Sequence, residues 1–524
     1  LIKRAWTRAS VAAMVALLPL MAGCQPPHPV GQLVVASKST LSSVDPVDVT
    51  TSAGLQLLSA IGDPLYSADA DGNLHPRLAT SLPQLSADGR TARIPLRRGV
   101  LFHDGTPFDA DAMVFSLERF RALGKLSYLL DGRIEAITAS GPYELELKLK
   151  RPFSALTALL SSLNLAPVSP TAYAQHRDRP MAERFVGTGP YRLASSSPQQ
   201  QTLLPFERYW GAAPRNKGVH LITLSNSTAL FGALLSGEVD VLTSAGMDSD
   251  QQKALAERAG RGELVEGIGP ATEIGYLTLL SDRPPLNHPV LREAIGLSID
   301  RSLISQRVSY GIRPPLRSLV PPPLVGSQPA TWPAYNPEKA QRLFRQAGYC
   351  NGQALVLPLT FRSNVPTDKL FALTWQAQLQ RDLGTCVTLE INGVESTTAY
   401  RQLEQAAFPM ILLDWIGDYP DPDIYLAPML GCSQADGSRC LAGNAAAAGS
   451  FWSAPGLQEQ LERSESIGGE QRQQLLQTLQ ERAAQGGAYI PLWHVAPRAW
   501  AQPQLQPPQF DGTGRVILQS LAHR

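Results

Sequence analysis

Two groups of opposite charge stand at the ends of apolar runs. Arg362 closes one, in Phe361-Arg362-Ser363-Asn364-Val365-Pro366, and Asp418 follows another, in Trp415-Ile416-Gly417-Asp418-Tyr419. A guanidinium presents a planar fork of donors that matches a carboxylate, and a carboxylate in apolar surroundings is a partner for an ammonium. Together they could clasp a small molecule charged at both ends. Trp415 and Gly417 flank the aspartate as candidate pocket walls, and Ser42 and Ser43, after the first predicted strand, could add polar contacts from elsewhere. Asp421 and Asp423 follow in a proline-rich acidic loop and read as surface groups.

Other chemistries find less support. There is no Gly-x-Ser-x-Gly elbow and no His-Glu-x-x-His helix, and the eight histidines are scattered. Gly187-Thr188-Gly189-Pro190 lacks the lysine of a phosphate loop and reads as turn chemistry. No His pair has metal-ligand spacing, so neither a metal nor a cofactor is expected. Setting Cys24 aside leaves Cys350, Cys386, Cys432 and Cys440, an even number that suggests two bridges in an oxidising compartment. Three connectivities are possible, and local order favours Cys350–Cys386 with Cys432–Cys440.

These groups need a scaffold, and the composition can supply one. The 524 residues suggest about three domains at roughly 150 residues each. Lys plus Arg is 46 against 45 for Asp plus Glu, a balance that leaves no field to hold a nucleic-acid backbone. Period and caps predict helices that start at Asp109, His288-Pro289 and Asn336-Pro337. Strand, helix and strand alternate over 219–242. They alternate again as strand 354–361, helix 368–383, strand 386–392, helix 397–406 and strand 408–415. A βαβαβ succession favours a parallel sheet with right-handed crossovers. It places both cysteines of the 350–386 pair at strand starts, and Arg362 with 415–418 at strand ends, the edge where ligands sit in such sheets.

At the amino end, Lys3, Arg4 and Arg8 precede an apolar run over 9–22, too short to span a bilayer as a helix. That is a secretory-signal pattern, and Met21-Ala22-Gly23-Cys24 resembles a bacterial lipoprotein cleavage site. Residues 1–23 are therefore expected to be a signal, Cys24 a lipidated terminus, and 24–30 a tether.

Several short stretches, in order, resemble the solute-binding proteins of bacterial ABC importers for peptides and nickel. They include Phe102-His103-Asp104-Gly105-Thr106-Pro107-Phe108, Val186-Gly187-Thr188-Gly189-Pro190-Tyr191 and Tyr209-Trp210-Gly211. Leu234-Leu235-Ser236-Gly237-Glu238-Val239-Asp240, Tyr335-Asn336-Pro337-Glu338, Asp418-Tyr419-Pro420-Asp421-Pro422-Asp423 and Ile490-Pro491-Leu492-Trp493 follow. The resemblance implies an α/β, two-lobed periplasmic binding protein fold with an extra subdomain and a hinge of two chain crossings. Lobe I would hold 31–66, 186–272 and 496–524, the subdomain 67–185, and lobe II 273–495. It further implies that Asp418 receives a peptide's α-ammonium and Arg362 its carboxylate. The chain would be an exported monomer, lipid-anchored at Cys24, that hands peptides to a membrane permease without catalysis. Another solute (nickel chelate, haem, glutathione or oligosaccharide) and a secreted hydrolase are the alternatives.

Overall fold

The computed structural model describes residues 31–524 apart from Ser42, Glu183, Pro323, Gln328 and Pro329. The signal, the tether, Cys24 and Ser42 lie outside the described residues.

Local signals set the helices. Asp109 caps Ala110–Leu123, its carboxylate accepting the Ala112 N–H at 2.9 Å. Asn336 does the same for Pro337–Gln346 through the Lys339 N–H at 2.9 Å, and Ala340 and Phe344 face inward. An unpaired N–H at a helix start is thereby satisfied, and proline at the first position loses no hydrogen bond.

Seven strands form one sheet, in the order Val265–Ile268, Arg498–Ala501, Val241–Thr243, Leu33–Ser37, Val219–Thr223, Gln200–Pro205, Tyr191–Ser196. Leu33–Ser37 runs parallel to both neighbours and separates the two strands of the 219–242 unit. A second sheet has five strands, ordered Val387–Val394, Leu355–Arg362, Met410–Ile416, Glu273–Leu279, Tyr489–Val495. Its first three are parallel, Leu355 facing Val387 and Thr360 facing Ile411, and Glu273–Leu279 runs antiparallel to the neighbour on either side. The βαβαβ reading is thus realised, with the earliest of its strands in the middle. A four-stranded antiparallel sheet from residues 84–149 stands apart. One apolar core joins it to one face of the seven-stranded sheet and to residues 419–430, and a second packs Pro289–Leu297 and Pro366–Leu383 on the five-stranded sheet.

The two large sheets are linked twice. The chain passes from Val265–Ile268 to Glu273–Leu279 and returns from Tyr489–Val495 to Arg498–Ala501. The crossings lie side by side: Gly269 N–H donates to Pro497 O at 2.8 Å and Thr272 N–H to Val495 O at 3.3 Å. This pair of strands has the form of a hinge.

The sulfurs of Cys350 and Cys386 are bonded, as are those of Cys432 and Cys440, with Cα separations of 4.7 and 5.7 Å. The glycine turn at 187–190 is structural. A Cβ on Gly189 would lie 2.6 Å from Gly62 N, and beside it the buried Asp63 gathers Arg77, Thr188, Tyr209 and Trp210. Among the described residues, no helix is long and apolar enough to cross a membrane, and no cluster of acids, histidines and cysteines could hold a metal.

Candidate ligand-binding cleft

Parallel strands leave their carboxyl ends at one edge, where backbone donors and loop side chains converge. The edges of the two large sheets meet here across the hinge. Ser37, Thr223 and Thr243 end strands on one side, Ile416 ends a strand on the other, and Thr272, Val495 and Pro497 of the crossings form the floor. They enclose a cavity of ≈ 200 Å³, below the roughly 300–1,000 Å³ of drug-sized sites and suited to a compact solute. A larger depression of ≈ 880 Å³ beside Ala110–Leu123 is a wide groove on the outside of the four-stranded unit.

Four charged residues line the cavity: Glu273, Arg313, Arg498 and Arg515. Burial, then the charge of Asp414, pushes the Glu273 carboxyl up to about 7; Arg313 stands 3.8 Å from it and over the Trp493 ring. Arg498 Nη1 donates to Glu266 at 2.8 Å, while its buried Nε has no partner. Thr272 also borders a recess of ≈ 30 Å³ that contains Gly417 and Asp418. That is about the share of one water in the liquid, room for a small polar head such as an ammonium.

Asp418 is positioned by its neighbours. Gly417 N–H donates to Tyr425 Oη at 3.2 Å, and Tyr425 Oη–H donates to Thr272 O at 2.7 Å, which ties the loop to the hinge. A Cβ on Gly417 would lie 2.7 Å from Ile424 Cγ2, so glycine is needed for this close approach. Asp418 accepts a short hydrogen bond from the Tyr128 hydroxyl of the four-stranded unit and has no cationic partner among the described residues. Burial raises its pKa, and the Tyr128 bond only partly offsets that.

The other expected residues are placed differently. Arg362 ends its strand at the same rim but lines neither space, and its five donors are all spent. Nε and Nη2 serve Asp368, Nη1 and Nη2 serve Asp414, and Nη1 also meets Tyr400. Two carboxylates surround it because Asp414 lies on the adjacent strand and Asp368 in the first turn of the following helix. Trp415 turns away, donating from Nε1 to Ile424 O at 2.8 Å. Ser43 is buried, and its hydroxyl accepts the Asp45 N–H at 3.2 Å beside the Asp45–Arg119 ion pair. The acids read as surface groups are buried as well: Asp421 pairs with Arg472 and Asp423 with Arg133. Glu273, Arg313, Arg498 and Arg515 carry no spacing signal, since the hinge crossings, the loop after Arg301–Ser309 and the final loop bring them together.

The family described as bacterial extracellular solute-binding proteins, family 5 Middle, matches residues 73–437. The glutathione-binding protein GsiB of Escherichia coli K12 is 26% identical over 432 residues, 81% of this chain and 82% of its own. NikA of Brucella suis, solved with Fe(III)-EDTA, superposes with a TM-score of 0.81 at 21% identity, over 95% of this chain and 100% of that one. A dipeptide-binding protein of Pseudoalteromonas sp. SM9913, solved with Met-Leu, gives 0.77 at 22% identity, over 94% and 100%.

Proposed function

This chain belongs to the bacterial extracellular solute-binding proteins of family 5, and on that premise we propose that it captures short peptides and delivers them to a membrane permease. Asp418 carries the reading. A half-buried carboxylate without a cation is costly unless an ammonium arrives to meet it, and the recess beside it admits a group of that size. The peptide's amine docks on Asp418 and its body fills the space over the hinge. Closing of lobe I (31–66, 186–272, 496–524) and the subdomain 67–185 on lobe II (273–495) retains it. Export through residues 1–23 and a lipid on Cys24 would keep the monomer near its permease.

The protein acts by binding alone. No described histidine lines the cavity or the recess, so a histidine-activated serine or threonine nucleophile is not assembled there. Peptides incubated with the purified protein are expected to be recovered intact.

Asp418→Asn keeps an acceptor for Tyr128 and removes the charge. It is expected to weaken Ala-Ala binding at least tenfold, about 1.4 kcal/mol, by calorimetry, while the thermal midpoint of the ligand-free protein does not fall. N-acetyl-Ala-Ala should bind the parent poorly and the variant no worse. Unchanged Ala-Ala affinity would remove Asp418 from the site.

A further inference from the structure

Arg515 lies in the last loop of the chain and reaches the cavity from the seven-stranded side. The loop is fixed from several directions. Asp511 Oδ1 accepts from Thr513 N–H at 2.9 Å, Thr513 Oγ1–H at 2.7 Å and Arg515 N–H at 3.0 Å. Gln56 brackets Val516, accepting its N–H at 2.9 Å and donating to its carbonyl at 2.8 Å. Gly512 sits where a Cβ would meet Asp69 O at 2.3 Å. The backbone that carries Arg515 is therefore held without help from its side chain.

That side chain has nothing to hold. Among the described residues the guanidinium makes no hydrogen bond and no ion pair, and its Nε is sealed from solvent. Asp511, the nearest acid in sequence, spends one carboxylate oxygen on three donors of its own loop. Burial depresses the Arg515 pKa, and the charge of Asp511 only partly opposes this. Arginine is kept for paired sites, since an unmatched buried cation is expensive. Arg498 adds a second half-buried guanidinium whose Nε is unmet. Across the cavity burial and the charge of Asp414 raise the Glu273 pKa, which favours its neutral form and weakens its repulsion of an anion.

We propose that Arg515, with Arg498, forms a carboxylate subsite on the lobe I wall, and that the solute is a compact peptide with an acidic side chain. This rests on the peptide reading above and deepens it. The amine meets Asp418 on one side of the hinge and an anionic group meets Arg515 on the other. With Glu266 on Arg498 and Glu273 beside Arg313, the unmatched charge on the cavity wall is that of Arg515, which favours a ligand with more carboxylates than amines.

The test uses the full protein at neutral pH, with Ala-Glu, Ala-Ala and glutarate as probes, and Arg515→Gln and Arg515→Lys as variants. The parent is expected to bind Ala-Glu at least tenfold more tightly than Ala-Ala. Arg515→Gln abolishes that preference, Arg515→Lys keeps part of it, and the ligand-free thermal midpoint of Arg515→Gln is unchanged or higher. Equal affinity for the two peptides, or a preference that survives Arg515→Gln, overturns the subsite and leaves peptide capture standing. If neither peptide binds but glutarate raises the midpoint of the parent and not of Arg515→Gln, the anion subsite stands and peptide capture falls. If no probe acts, both fall.

Discussion

Arg362 and Arg515 carry the same fork into opposite circumstances. The first has five donors and five acceptors; the second has none among the described residues. The pairing of Arg362 makes it a structural group in this arrangement. Removing it by Arg362→Ala would leave Asp368, whose side chain is 2% exposed, buried without its cation. Breaking such a pair costs about 3–5 kcal/mol, and denaturant unfolding of the ligand-free variant is expected to show a loss of that size. A large loss of peptide affinity at unchanged stability would instead make Arg362 the ligand clasp that the sequence suggests. The sequence puts Arg362 at a strand end on the edge of the site. It does not show that Asp414, four residues before Asp418, turns to the neighbouring strand and claims the guanidinium. Arg515 gives no signal at all, because its meaning is an absence of partners, which only the folded chain displays.

Elements were more legible than the contacts between them. Alternation and period mark the strands and helices of 354–415 because each repeats its pattern locally. Sheet order depends on distant pairings, so the insertion of Leu33–Ser37 between Val219–Thr223 and Val241–Thr243 leaves no trace in either segment. The strand starts also place a covalent tie. Cys350 and Cys386 precede neighbouring parallel strands, at the opposite end of the sheet from the cleft. Their bridge closes a span of 36 residues, for which the chain-entropy estimate is about 4 kcal/mol. The double variant Cys350→Ser, Cys386→Ser is expected to lose roughly 2–4 kcal/mol of stability in urea while its Ala-Ala affinity stays within about twofold. A comparable fall in affinity would mean that strain at the amino ends reaches the binding edge.

At the scale of the molecule, the cleft has a hinge at its floor and a clasp at its mouth. The four-stranded unit reaches across to the loop that bears Asp418: Tyr128 donates to Asp418, and Arg133 donates to Asp423 at 3.0 Å. Ser154 adds a hydroxyl bond to the Glu465 carbonyl at 2.8 Å. Tyr419 and Arg133 share the buried Asp423, so this part of the clasp is a buried polar network, and such a network weakens as a whole when one member leaves. On the proposed function these contacts join units that part to admit a solute, so they act on the lifetime of the bound state. Arg133→Ala is therefore expected to speed peptide release about tenfold or more and to leave the association rate within about threefold, as mutations that weaken a formed interface usually do. Stopped-flow tryptophan fluorescence with Ala-Glu separates the two rates. If association falls while release is unchanged, these residues steer entry, and the retention of solute rests on the hinge alone.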